Sequence, residues 1–371
     1  MKGIIRSRLN AYTDRGDIAG GSILVRKNGE TVAEVYAGEA DIALGVPVTK
    51  DSIFRMASMS KPVAAAAVML LVQENKVDIT DPLCKYLPEF KDLCVGIKEE
   101  NGRIAPVTPD RPVTVEDLLR HRSGMGQGEI SASFGVNEVH QGMTLKERAE
   151  AVARCPLDFQ PGAEAGYSAL TAFDVLGRVV EVVSGTAFEV FLKEKFFDPL
   201  GMTDTTFFLN EAQKKRLVRL YDRSGGTLTD SYAPGEISSP FMFSYPSGSA
   251  GLFGTLTDYD KFVQMLAGRG VRILTDETLG KMAQADQSHM SKTGAWGLGM
   301  HVFNRKSVSS RALSQNTFGW SGAFGTHFYI DPVNDVTMTL MVNRMDIGGS
   351  DSYVSFGMEE AVFEEMELKE I

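Results

Sequence analysis

The first stretch with a readable rhythm is residues 20–36, which predicts a hairpin. Ser22-Ile23-Leu24-Val25 supplies one strand, Val32-Ala33-Glu34-Val35-Tyr36 alternates as the other, and Lys27-Asn28-Gly29-Glu30 carries an Asn-Gly turn signal between them. Ahead of it, residues 2–15 have the spacing of an amphipathic helix. The apolar run that starts at Pro62 predicts a helix ending near Asn75, and Ile79-Thr80-Asp81-Pro82-Leu83 reads as a turn into mostly helical territory. Residues 95–112, punctuated by Gly and Pro, read as loop. Thr114-Val115-Glu116-Asp117 has the form of a capping box, opening a helix that stops at Arg122-Ser123-Gly124, where His121 and Gly124 suit a C-terminus.

Residues 124–142 are glycine-rich and irregular, a candidate wall or lid for a cleft. Helices are predicted over 143–154, over 167–183 with Ser184-Gly185 as the stop, and over 188–196. Residues 220–245 read as mostly loop, and Thr257-Asp258-Tyr259-Asp260 as the cap of a helix reaching about Leu266. Strands are predicted at 297–303, 324–330 and 336–342, the last two joined by the turn Asp331-Pro332-Val333-Asn334-Asp335. Strands therefore gather at the two ends of the chain and helices in the middle. That pattern predicts an α/β (α+β) architecture in which 1–75 and 246–371 form a sheet domain and 76–245 a mostly helical inserted domain, with a cleft between them.

Composition narrows the class. With 371 residues, 43% hydrophobic and 23% charged, the chain has the makeup of a soluble globular protein. Its longest apolar run, residues 63–72, is far too short to span a bilayer, and the first eight residues lack the apolar core of a secretory signal, so a cytoplasmic location without membrane partner is expected. Cys84, Cys94 and Cys155 are odd in number and show no Cys-x-x-Cys spacing, which fits packing thiols better than a disulfide framework. A net charge of -10 argues against a nucleic-acid partner. Glu359, Glu360, Glu364, Glu365, Glu367 and Glu370, interleaved with apolar residues, predict the solvated outer face of a terminal helix.

The candidate chemistry lies at Ser58-Met59-Ser60-Lys61. On a helix, residues three apart share a face, which brings the Lys61 amine within reach of the Ser58 hydroxyl. A serine needs such a base to attack a carbonyl, and a helix N-terminus offers free N–H groups to an oxyanion. Taken alone, the tetrad reads as a capping serine followed by a solvated lysine. Two further stretches give it company: Phe159-Gln160-Pro161-Gly162 leading to Tyr167-Ser168-Ala169 at an expected helix start, and Phe318-Gly319-Trp320-Ser321-Gly322-Ala323-Phe324-Gly325 leading into an expected strand.

Together these motifs resemble the serine beta-lactamase and penicillin-binding-protein superfamily, specifically its class C-like esterase branch, the family VIII carboxylesterases. The likeness covers nearly the whole chain and extends to Thr114-Val115-Glu116-Asp117-Leu118-Leu119-Arg120-His121-Arg122-Ser123-Gly124-Met125, Pro199-Leu200-Gly201-Met202 and Ser249-Ala250-Gly251-Leu252. The resemblance implies a beta-lactamase/transpeptidase-like fold with an antiparallel sheet. It also implies Ser58 as nucleophile, Lys61 as its proton partner, Tyr167 as a base shared with Lys61, and an oxyanion hole from the N–H groups of Ser58 and Ala323. Whether Lys61 or Tyr167 is the base stays open. Substrate would meet Trp320, Ser321 and Gly322, and neither metal nor cofactor is implied.

Two departures from the lactamase pattern bear on substrate. Ala169 stands where lactamases carry Asn, and Trp320-Ser321-Gly322 where they carry Lys-Thr-Gly. Both changes weaken recognition of an anionic beta-lactam and suit a neutral ester. Lys292-Thr293-Gly294 spells the lactamase triplet literally, but it precedes the strand expected near Gly297 and is set aside. His121 reads as a helix-end cation and His327 as a strand residue near the cleft. The expected activity is hydrolysis of short-chain esters, small molecules, through an acyl-enzyme. An acyltransferase, a beta-lactamase or D-amino-acid peptidase, and a non-catalytic penicillin-recognising module are the alternatives.

Overall fold

The computed structural model describes residues 2–232, 242–291, 293–303 and 313–368. Its centre is an eight-stranded antiparallel sheet in the order Gly294–Trp296, His301–Phe303, Phe318–Ser321, His327–Asp331, Val336–Val342, Gly20–Lys27, Glu30–Asp41, Val46–Pro47. The middle of the sheet joins the two ends of the chain: Gly20–Lys27 pairs with Val336–Val342, Ile23 lying opposite Leu340. The expected Asn-Gly hairpin is present, with Asn28 and Gly29 both at positive φ.

Side-chain alternation sorts this sheet into two cores. Ile23 and Val25, with Met338 and Leu340, pack under the helices Ile4–Asp14 and Tyr353–Glu365. Leu24 and Met341 point the other way, into the larger core around the helices Ser60–Gln73 and Leu256–Leu266. Helix Ser60–Gln73 is buried from Ser60 to Leu71, which its apolar, alanine-rich sequence permits on every side. Helix Ala172–Ser184 packs against it and ends at Gly185 in the left-handed conformation. No helix among the described residues is long and apolar enough to cross a membrane.

Several expectations are corrected. Residues 95–112 hold a hairpin, Val95–Lys98 with Ile104–Val107, turned through Asn101-Gly102 with Gly102 at φ 83. The segment after Leu83 forms only short 3₁₀ turns at Leu83–Lys85 and Pro88–Phe90. Of the strand expected at 297–303 only His301–Phe303 forms, residues 297–300 being the turn from a preceding strand Gly294–Trp296, and Phe318–Ser321 is itself a strand. Thr255 rather than Thr257 caps the helix Leu256–Leu266. Part of the loop expected at 220–245 lies outside the described residues, and the rest contains the short pair Tyr221–Asp222 and Thr229–Asp230.

The terminal helix also differs from its expected solvated acidic face. Glu359 is 2% exposed and faces the sheet, its Oε1 lying 2.9 Å from His327 Nε2. A carboxylate on that side of the helix costs desolvation that only a polar partner from the strand can offset.

Candidate active site

Ser58 sits in a 3₁₀ turn, Ala57–Met59, that runs directly into helix Ser60–Gln73. Ala57 adopts φ 46, a costly conformation for a residue with a Cβ, and it turns the chain sharply from the short strand Phe54–Arg55 into the helix. The turn is held from several sides. Ser60 Oγ donates to Ala57 O at 2.8 Å and accepts from Leu252 N at 3.0 Å, and Tyr259 OH donates to Met59 O at 2.8 Å. Met59 N–H is bonded back to Met56 O, so the Ser58 N–H stands in the first turn, where backbone donors have no partner within the helix.

Lys61 is wholly buried. Its Nζ donates to Ala169 O at 2.7 Å and Ser249 O at 2.8 Å, and lies 3.2 Å from Ser58 Oγ. Two of the directions around the nitrogen are thus fixed on carbonyls and a third faces the Ser58 hydroxyl. Ala169, which has no side-chain polar group, serves through its backbone. Ser249 is fixed in turn, its N–H donating to Asp174 Oδ1 at 3.0 Å while its Oγ accepts from Asp174 N at 3.2 Å.

Tyr167 is not on a helix. The helix expected to begin there starts at Ala172, and residues 166–169 form an irregular bridge held by His121. The His121 carbonyl accepts Gly166 N–H at 2.9 Å, and its Nδ1 accepts Ser168 N–H at 3.0 Å, so His121 brackets Tyr167 on both sides. His121 is fully buried, and its pKa is lowered well below the ordinary value by desolvation, with the Lys61 and His301 charges acting the same way. The expected helix-end cation is therefore a neutral ring that positions a loop. The Tyr167 ring lies 4.9 Å from Lys61 Nζ and stacks on Trp296 at 5.7 Å and 9°. Its hydroxyl accepts a hydrogen bond from Trp320 Nε1 at 3.4 Å, which leaves the phenolic proton free.

The strand Phe318–Ser321 delivers the third motif against the Ala57–Met59 turn. Gly322 N–H donates to Thr326 O at 2.7 Å, and Thr326 Oγ1 donates to Met56 O at 3.2 Å. A methyl on Gly322 would collide with Met56 O and Thr326 Oγ1, so only glycine allows this approach. Ser321 is buried behind Gly322, and Ala323 is exposed at the head of the turn. Ser58, Lys61, Tyr167, Trp320, Ser321, Gly322 and Ala323 thus belong to one neighbourhood. Of the set-aside triplet, Lys292 lies outside the described residues, while Thr293 and Gly294 line a cavity beside Tyr167.

That cavity, about 270 Å³, opens against Tyr167 and Trp320 and is walled by Trp296, His301 and Phe303. Desolvation lowers the His301 pKa to about 4. Sequence reasoning misses both Trp296 and His301, because a lone aromatic on a three-residue strand carries no motif. Among the described residues no group of three or more His, Cys, Asp or Glu is arranged to hold a metal.

Comparison with known proteins places these observations in a lineage. The family model described as Beta-lactamase matches residues 5–361. An uncharacterized protein of Mycobacterium tuberculosis, MT1414, is 31% identical over 91% of this chain and 89% of its own length. Esterase EstB of Burkholderia gladioli is 27% identical over 97% of this chain and 95% of its own. Among solved structures, EstCE1, described as a hydrolase with promiscuous acyltransferase activity, superposes with a TM-score of 0.82 at 23% identity, covering 97% of each chain.

Proposed function

The chain belongs to the Beta-lactamase family, in its esterase branch, and from that premise we propose that it is a serine esterase hydrolysing short-chain carboxylic esters through an acyl-enzyme on Ser58. The observation that carries the reading is the buried Lys61 amine, anchored on Ala169 O and Ser249 O and directed at Ser58 Oγ.

In the first half-reaction Ser58 Oγ attacks the ester carbonyl and its proton passes to Lys61 Nζ. The carbonyl oxygen becomes an oxyanion facing the Ser58 and Ala323 N–H groups. The bond to the alkoxide breaks, Tyr167 gives its proton to the leaving oxygen, and the Lys61 ammonium, on the face of the ring, returns a proton to the phenolate. In the second half-reaction water attacks the acyl carbon, its proton follows the same route inward, and the bond to Ser58 Oγ breaks as that oxygen is reprotonated. Net, one ester and one water give one acid and one alcohol.

Trp320 supports a neutral substrate, since an indole offers an apolar face and one N–H where a lysine would attract a carboxylate. Acyl transfer, in which an alcohol replaces water, shares the first half-reaction and is the second reading, favoured by the promiscuous acyltransferase activity ascribed to EstCE1. Ester hydrolysis assayed on wild type and Ser58→Ala tests the proposal. Turnover is expected to fall by at least roughly a thousandfold in the variant, and substantial remaining activity would mean the nucleophile lies elsewhere.

A further inference from the structure

In the proposed cycle Tyr167 hands a proton to the leaving oxygen, yet few polar contacts fix the ring that carries it. The residue is 37% exposed and lies on the irregular bridge 166–169. Among the described residues its side chain makes one hydrogen bond, accepted from Trp320 Nε1 at 3.4 Å. His121 holds the backbone on either side, through Gly166 N–H and Ser168 N–H, which leaves the side-chain torsions unset. What the ring does have is a flat neighbour. Trp296 stacks on it with centroids 5.7 Å apart and planes at 9°, and itself packs on His121 at 4.1 Å and edge-on against Trp320 at 4.5 Å. The Trp296 carbonyl accepts from Asp286 N–H at 2.9 Å and from Arg120 Nη1 at 3.1 Å, and Arg120 is paired with Glu116 at 2.8 Å. Arg120 and His121 are consecutive, so one turn of chain holds both partners of the stack.

We propose that Trp296 is a positioning residue for proton delivery: its indole face sets the plane of the Tyr167 ring and thereby aims the phenolic O–H at the leaving alkoxide. The inference rests on the esterase reading with Tyr167 as the acid, and adds the group that orients it. In the step concerned, the bond from the carbonyl carbon to the alkoxide oxygen breaks and its electron pair stays on that oxygen. The oxygen takes the Tyr167 proton, and the Lys61 ammonium, 4.9 Å from the ring centroid, reprotonates the phenolate. Tilting the ring moves its hydroxyl furthest, because that oxygen ends the side chain. A displacement of about 1 Å costs about a hundredfold in rate.

An ester whose leaving group departs as a stable anion needs no such proton. The test therefore compares ethyl butyrate with 4-nitrophenyl butyrate, which form the same acyl-enzyme, by kcat/KM in wild type, Trp296→Leu, Trp296→Phe and Tyr167→Phe. The ratio of the two esters is taken within one preparation, and loss of folded protein cancels. In Trp296→Leu the ethyl ester is expected to lose about tenfold more than the nitrophenyl ester. Trp296→Phe keeps a flat ring and is expected to recover most of that difference, while Tyr167→Phe shows the same bias, larger. A loss on the nitrophenyl ester as large as on the ethyl ester in Trp296→Leu, beside a clear bias in Tyr167→Phe, would overturn the positioning role while leaving the esterase reading intact. A bias as large in Trp296→Phe as in Trp296→Leu would overturn it as well, since a flat face would not be what matters. No bias in Tyr167→Phe would remove Tyr167 as the acid, and the inference with it. No turnover of either ester in wild type and no fluorophosphonate label at Ser58 would remove the esterase reading itself.

Discussion

Lys61 decides more than any other side chain in this molecule. Burying an amine is costly, and the site compensates with two backbone carbonyls held by separate segments, one fixed through the His121 bridge and one through Asp174. The Ser-x-x-Lys spacing makes this pair legible in the sequence, because three residues of helix bring amine and hydroxyl together whatever surrounds them. Trp320 is legible for a different reason, as an uncharged residue in a strand motif where lactamases place a cation. Replacing it tests that reading: Trp320→Lys is expected to raise kcat/KM for a carboxylate-bearing ester over its neutral counterpart by roughly tenfold. An unchanged ratio would show that residue 320 does not meet substrate. Glu359 is misread from sequence. Its neighbours predict a solvated face, and only the register of strand His327–Asp331 supplies the histidine that makes its burial tolerable.

Between elements, the decisive contact is the close approach of the turn after Phe318–Ser321 to the strained turn at Ala57. Gly322→Ala is expected to push these apart, costing roughly 1–3 kcal/mol of stability and lowering kcat more than it raises KM, since the oxyanion donors proposed at Ser58 and Ala323 flank that contact. Urea unfolding and ester kinetics check both, and wild-type values would contradict the packing described. Helices with a strong apolar run or a cap, such as Ser60–Gln73 and Val115–Leu119, begin close to where they are expected, although the second ends at Leu119, short of the stop expected at Arg122-Ser123-Gly124. The helix after Tyr167 does not, because its apolar spacing continues upstream while side-chain and backbone bonds to His121 and Met125 hold residues 166–169 off the helix. The Val95–Lys98 hairpin escapes prediction although Asn101-Gly102 carries the same turn signal that reveals the first hairpin. There the flanking Gly and Pro residues mask it.

At the scale of the whole molecule, the two ends of the chain build one sheet and the terminal helices close its back, while helix Ser60–Gln73 lies on the opposite side. Strand-rich ends around a helix-rich middle are visible in the pattern of residues. The burial of two uncharged histidines beside the site is not, and it makes acid stability a property of the assembled fold. Unfolded, His301 takes up a proton near pH 6.5, whereas folded it does so only near 4. Stability from this group is full above about pH 6.5 and is lost as pH falls toward 4, by roughly 2 kcal/mol at pH 5. His301→Leu is expected to flatten that part of the urea-derived stability profile between about pH 7 and 5, and an unaltered slope would mean the ring is not buried uncharged.

The most direct measurement is peptide mass spectrometry of the protein after reaction with a fluorophosphonate. One adduct is expected, on the oxygen of Ser58, formed far more slowly when Lys61 is replaced by methionine. An adduct on any other residue, or labelling at the same rate without the Lys61 amine, would contradict the account of how this serine becomes reactive.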